Sequence, residues 1–202
     1  EIAAYNINTN WREEFFGLDV TQQHNLGLTF GGENVSTFTS FGYYEQGGMV
    51  PTTDFKRFSF RNNINGKTAN DRFSYSSQLS MAFSRRNELN QETNGGVDNN
   101  TIQNPLHGAT MGLPYIAPSP YTTGQALYDA IGTDFAGAND TWVLQDILRE
   151  NSLPSWADET SIVANVSGTY KFAKDFKLTN RFGIDYRQTN RVFARAPWSY
   201  LA

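Results

Sequence analysis

The run from Arg72 to Arg85, RFSYSSQLSMAFSR, alternates without a break. Phe73, Tyr75, Ser77, Leu79, Met81 and Phe83 fall on one side of an extended chain, and Ser74, Ser76, Gln78, Ser80, Ala82 and Ser84 on the other. A period of two marks a strand with one apolar face. The aromatic rings sit toward the two ends of that face, with Leu79 and Met81 near its middle. A strand that crosses a bilayer between two aromatic girdles is built this way. Its length argues the same, because strands of soluble sandwiches are commonly about half as long.

The pattern recurs downstream. In SIVANVSGTYKF, Ile162, Ala164, Val166, Gly168, Tyr170 and Phe172 share a side. In KLTNRFGIDYRQ, Leu178, Phe182, Ile184 and Tyr186 do, opposite Arg181, Asp185 and Arg187. A basic residue facing lipid at the bilayer midplane costs about 2–4 kcal/mol, which sends those charges to the lumen. The lipid-facing set is therefore Phe73, Leu79, Met81, Phe83, Phe182 and Ile184. The lumen-facing set is Arg57, Arg61, Arg181, Asp185 and Arg187. HNLGLTF, STFTSFGYY and KRFSFRNNIN complete a set of about six strands, and STFTSFGYY alternates least cleanly, so its facing stays open.

A mean hydropathy of −0.52 is no objection to a membrane wall, since alternation averages an apolar face against a polar one. The 14% aromatic content suits two girdles. No run approaches the roughly 20 apolar residues of a spanning helix, and EIAAYNINTNW has no signal-peptide pattern, so the start is mature or internal to a longer chain. The absence of cysteine excludes disulfides and thiol chemistry. A net charge of −4, with no basic block, argues against nucleic acid as a partner.

Connection lengths alternate. Gly31–Asn34, the stretch around Ala69–Asp71 and Ala173–Asp175 are tight turns, whereas 45–55 and 87–157 are long. Short turns on one side and long loops on the other describe an outer-membrane barrel whose short side is periplasmic. The chain divides into barrel strands over 1–86, an extracellular loop over 87–157 and a strand hairpin over 158–202. The long loop opens on a solvated Asn/Gln-rich stretch, NELNQETNGGVDNNTIQN. It then carries two short helices, TGQALYDAIG ended by Gly132 and TWVLQDILREN capped by Asp140. Known single-chain barrels start at about 8 strands, so about six must belong to a larger polypeptide. The fold class is all-β, a segment of a transmembrane antiparallel barrel.

Five runs in order, NTNWREEFF, QQHNLGLTFGGEN, FTSFGYYEQGGMV, DFKRFSFRNNING and FKLTNRFGIDYR, resemble the early barrel region of SusC-like (SusC/RagA type) TonB-dependent outer-membrane transporters of Bacteroidetes. Within the long loop only Asn104-Pro105 shares the likeness. Two positions depart from the family pattern: Asn10 stands where Asp is usual, and Gly48 reads as an insertion. The resemblance implies a 22-stranded barrel filled by a plug absent from this sequence, placed in the outer membrane. It implies energy supplied through TonB, a SusD-like surface lipoprotein as lid, and import of oligosaccharides or peptides. The alternative is the same barrel as a structural subunit of an outer-membrane assembly or secretion complex.

No enzyme is expected. Glu13 and Glu14 are adjacent in what reads as extended chain near a strand end, where they point to opposite faces and cannot act as an acid/base pair. His24 and His107 lack metal-ligand spacing, and neither a nucleophile elbow nor a phosphate loop is present. No cofactor is expected. Asp134, Asn139 and Asp140 offer oxygen ligands to calcium, but no EF-hand pattern surrounds them and helix capping accounts for Asp140. Tyr115, Tyr121, Trp142 and Trp156 are the candidates to contact substrate or lid, set against their use as the loop's own core. The arginines either line a substrate path or pair with Asp185 and with plug carboxylates.

Overall fold

The computed structural model describes residues 6–89, 104–133, 139–149 and 152–202, with only the backbone of Asn139 among them. Six strands form one antiparallel sheet in sequence order: β1 (Thr21–Gly31), β2 (Val35–Gly47), β3 (Asp54–Lys67), β4 (Phe73–Asn87), β5 (Ser155–Ala173) and β6 (Phe176–Phe193). The strand segments read from sequence lie inside these six, apart from Arg72, one residue before β4. At about 3.4 Å per residue, the 15-residue β4 and the 19-residue β5 exceed the 9–11 residues that a tilted strand needs to cross hydrocarbon. The outer edges of β1 and β6 are unpaired among the described residues.

Register aligns the alternation of all six strands. One transverse row reads Leu28, Thr39, Asn62, Leu79, Ala164, Ile184, and the next row on the same face reads Leu26, Phe41, Phe60, Met81, Ile162, Tyr186. Between them, on the opposite face, lies Gly27, Ser40, Arg61, Ser80, Val163, Asp185. A slip of one residue in any strand would turn its apolar set onto the polar face, so the shared register is itself specified by the pattern. Thr39 and Asn62 are the exceptions within these two apolar rows, and they satisfy each other: Asn62 Nδ2 donates to Thr39 Oγ1 at 2.8 Å on the neighbouring strand.

The facing of β2, open from its sequence, is settled by these rows. Phe41 and Tyr43 join the apolar face and tilt against Phe60 and Phe58 at centroid distances of 5.2 and 4.9 Å. Phe38 and Tyr44 lie on the polar face, which is why the alternation looked broken. Phe38 covers Gly27 of β1 at van der Waals distance, and Tyr44 meets Phe55. Glycine is used the same way on the apolar face, where the Tyr75 ring lies over Gly66 and the Phe73 ring over Gly168.

Among the described residues, no strand residue is a buried hydrophobic; the buried apolar side chains all belong to a helical cap at one end of the sheet. On the sheet, Leu26, Phe182 and Ile184 remain at least half exposed. A continuous apolar face of this extent has no covering layer among the described residues. Among the described residues no helix is long and apolar enough to cross a membrane, which has no bearing on crossing by strands.

The cap draws on three distant pieces of chain. Helix α1 (Trp11–Phe15) precedes β1; α2 (Pro105–Met111), α3 (Gly124–Ile131) and α4 (Asn139–Ile147) lie between β4 and β5; residues 194–202 follow β6. α1 was read as extended chain, and it is helical because Trp11 and Phe15, one turn apart, bury together against Leu144 and Leu148. Thr9 Oγ1 donates to Ile116 O at 2.6 Å and Trp11 Nε1 to Leu113 O at 2.9 Å, tying this segment to the long connection. Leu127, Val143, Ile147 and Tyr200 form the second cluster. α3 starts at Thr123, whose hydroxyl accepts from Ala126 N, and stops at Gly132 in a positive-φ conformation, as its sequence predicts. α2 was not read from sequence, although Asn104 before a proline at the first helical position is a start signal; Asn104 Oδ1 accepts from Leu106 N at 3.0 Å. The Asn/Gln-rich residues 90–103 lie outside the described residues.

Close approach makes Gly124 a sensitive point. A methyl group there would collide with the backbone nitrogen of Tyr200 and with Asp146 Oδ2, neither of which can rotate away as a flexible side-chain end would. Gly124→Ala is expected to cost about 1–3 kcal/mol and to loosen the contact between α3 and the last residues. Limited proteolysis should detect earlier cleavage in the cap with the sheet intact.

Candidate functional site: the polar face and the cap above it

Short turns close one end of the sheet and the cap closes the other, so the polar face runs from a capped mouth to a turn end. In the turn between β3 and β4, Asp71 adopts a positive φ, and Lys67 bonds to it at 2.8 Å. That ammonium holds the Asp71 carboxyl below the usual range.

All five charged residues assigned to one face from sequence do share it. Register puts Arg57, Arg61, Arg181, Asp185 and Arg187 on the polar face, and Phe73, Leu79, Met81, Phe83, Phe182 and Ile184 on the apolar one. Of the two kinds of partner offered for the arginines, the plug carboxylates are not in this sequence, and Asp185 forms no ion pair among the described residues. Arg61 and Asp185 occupy one row with Ser80 and Val163 between them, too far apart for an ion pair. The contact formed is Arg187 Nε to Glu159 Oε1, loose at 3.8 Å.

Sequence reading also missed Arg86, Glu159 and Arg191. Extending the parity of β4, β5 and β6 by one to three residues toward the cap would have found them. They surround, with Arg57 and Arg187, a cavity of about 320 Å³ whose floor is made of small residues, Ala82, Ser84, Ala157 and Ser161. Arg86 stacks over Phe55 at 5.8 Å. A second cavity of about 620 Å³ lies between the rim and the cap, where Trp156, Arg85, Asp54 and Glu88 meet Leu148, Arg149 and Arg195.

The aromatic candidates separate. Trp142 donates from Nε1 to Ala117 O at 2.9 Å and packs edge-on to Tyr121 at 6.0 Å, so both rings are committed to the cap. Trp156 lies in β5, not in the loop, beneath the Arg85 guanidinium at 5.6 Å. Tyr115 remains exposed. Glu13 and Glu14 lie in helix α1, and Glu14 accepts from Gln145 Nε2 at 3.1 Å, a bond between helices. His24 stacks near Tyr43 at 6.4 Å, and His107 lies in α2. Among the described residues no cluster of histidine and carboxylates could hold a metal.

Asp140 does not cap its helix. α4 already begins at Asn139, which puts Asp140 in the first turn, with Oδ1 buried and without a hydrogen-bond partner among the described residues. Asp134, the other carboxylate read as a calcium ligand, lies outside the described residues. Burial pushes the Asp140 carboxyl up. The folded cap thus favours the protonated acid, so its penalty is absent below the ordinary carboxylate range and grows as pH rises through it. Asp140→Asn is expected to slow proteolysis of the cap at neutral pH, with the difference from the parent vanishing in acid. An unchanged rate at neutral pH would show that the buried oxygen carries no penalty.

No family model matches the chain. Over an alignment of 203 positions it is 22% identical to the TonB-dependent receptor SusC of Bacteroides thetaiotaomicron, covering 96% of this chain and 20% of that protein. In fold it is similar to the structure of the RagAB peptide transporter, with a TM-score of 0.65 and 18% identity over 96% of this chain and 21% of that one. Against the RagAB peptide importer in its open-open state the TM-score is 0.68, at 18% identity over 96% and 20% of the two chains. The chain spans about one fifth of the length of these proteins. Its apolar rows, its unclosed edges and these alignments over nearly all its length agree: the chain has the fold of a segment of a large antiparallel β-barrel, and it is similar to SusC and to the RagAB transporter over that length.

Proposed function

We propose that this segment is wall and mouth of a TonB-dependent transporter in a bacterial outer membrane, importing a peptide or oligosaccharide together with a SusD-like surface lipoprotein. The observation that carries this reading is the pairing of a coreless apolar face with a capped polar face in a chain that aligns with SusC along its length. The apolar rows face lipid and the polar rows face the lumen, because the reverse would put Arg61, Arg181 and Arg187 into hydrocarbon. The cap end is extracellular and the turn end periplasmic. Exposed Tyr115 presents a flat ring with a polar edge to the substrate or to the lid lipoprotein.

The test is uptake by cells carrying the full-length protein. Uptake of a labelled peptide or oligosaccharide should require this protein and should stop when TonB is deleted. Uptake indifferent to TonB, or a full-length product with neither plug nor TonB box, would overturn the proposal in favour of a structural role.

A further inference from the structure

The two faces of the sheet handle charge differently. On the apolar face, charges occur only toward the cap, where Lys56 pairs with Glu45 at 3.2 Å, Arg85 pairs with Asp158 at 2.7 Å, and Asp54 accepts from Asn87 Nδ2 at 2.9 Å. On the polar face the basic residues far outnumber the acidic ones. From mouth to turn end the register places Arg86 and Arg191, then Arg57 and Arg187, then Arg61 and Arg181, and last Lys67, Lys171 and Lys177. The strand carboxylates on that face are Glu159 and Asp185 alone. A chain with a net charge of −4 thus concentrates positive charge along one face of its sheet.

The arrangement is most developed at the 320 Å³ cavity. Two carboxylates, Glu88 and Glu159, line it with Arg57, Arg86, Arg187 and Arg191, and Glu159 takes only the loose contact to Arg187. Arg57 and Arg191 have no ion-pair partner among the described residues. The floor of alanine and serine leaves room for a guest group, and the volume falls at the small end of ligand cavities. Four arginines against two carboxylates leave the concave wall with an excess of positive charge, which concentrates counter-ions, and guanidinium groups match carboxylates in a planar, two-bond geometry. In the larger cavity above, Arg85 and Arg149 are already paired with Asp158 and Asp146, and Arg195 adds a further guanidinium at the mouth.

We infer that the polar face of this segment recognises a carboxylate-bearing oligomer, with Arg57, Arg86, Arg187 and Arg191 as its first site below the cap. The inference rests on the transport reading above and narrows its substrate class to acidic chains. Peptides rich in Glu or Asp and saccharides rich in uronic acid share that chemistry.

The experiment uses the full-length protein in detergent with two matched probe pairs: hexaglutamate against hexaglutamine, and oligogalacturonate against the neutral galactose oligomer of equal length. The acidic member of one pair should bind at least about 10-fold more tightly at low salt, with the preference shrinking at high salt. Whichever pair shows it names the source of the carboxylate. In the Arg57→Gln, Arg187→Gln, Arg191→Gln variant the preference should fall toward none while the neutral probe binds as before. Equal binding within both pairs, or no binding, overturns the inference. A variant that loses thermal stability yet keeps the preference also overturns it, and assigns the arginines to an acidic segment of the same polypeptide lodged in the lumen. TonB-dependent uptake of neutral probes with no acidic preference would remove this inference alone, whereas loss of all TonB dependence would remove the transport reading itself.

Discussion

Leu79→Arg is expected to block assembly of the barrel, at a cost of about 2–4 kcal/mol for a basic residue at the bilayer midplane. Leu79 lies in a central apolar row, flanked by Asn62 on β3 and Ala164 on β5, with further apolar rows on both sides. Its guanidinium could escape the hydrocarbon only by stretching past those rows toward a rim. The neighbouring Ser80→Arg is the control, because Ser80 already shares a row with Arg61 and Asp185 on the polar face. The folded fraction in purified outer membranes, read from heat-dependent gel migration, should collapse for Leu79→Arg and stay near the parent for Ser80→Arg. Equal folded fractions for the two would contradict the assignment of faces.

Asp146→Ala is expected to release the cap without unmaking the sheet. The Asp146 side chain is buried, and its two oxygens collect three donors from separate stretches of chain: Tyr200 N at 2.8 Å, Arg149 Nη1 at 2.8 Å and Ser152 Oγ at 3.3 Å. It thereby joins α4 to the start of β5 and to the residues after β6. Truncation leaves these donors in a buried setting without their acceptor, a loss of about 3 kcal/mol. Hydrogen exchange should quicken in α3 and α4 while β4 and β5 keep their protection. Protection unchanged in the helices would show that apolar packing around Leu144 and Leu127 holds the cap alone.

What the sequence made legible and what it hid follow from the range of the interactions. The six strands could be read because alternation is a local signal that a one-sided apolar environment imposes on every second residue, as in Phe73 to Phe83. β2 resisted because Phe38 and Tyr44 serve the polar face, one covering Gly27 on β1 and the other meeting Phe55 on β3, and neither partner is adjacent in sequence. Helix α3 carried its own start and stop, Thr123 and Gly132, and was legible. Helix α1 was not, since five residues have little helix-forming tendency alone and Trp11 and Phe15 find their burial against Leu144, more than a hundred residues away. The role of Asp146 was hidden likewise, because the Tyr200 nitrogen it accepts from lies 54 residues on. The polar-face arginines were legible as a set, but their surroundings were not. The contact between Arg187 and Glu159 depends on how β5 and β6 register, and the cavity depends on four small residues from two strands.

The most direct test of the central claim, that one face of this sheet meets lipid and the other does not, uses single cysteines in the full-length protein on a cysteine-free background. This segment contributes no cysteine of its own. Residues 79, 80, 184 and 185 would each be labelled with a fluorophore and exposed to brominated lipid. Strong quenching is predicted at 79 and 184 and little at 80 and 185. Quenching at 80 and 185, with 79 and 184 open to a water-soluble quencher, would contradict the account.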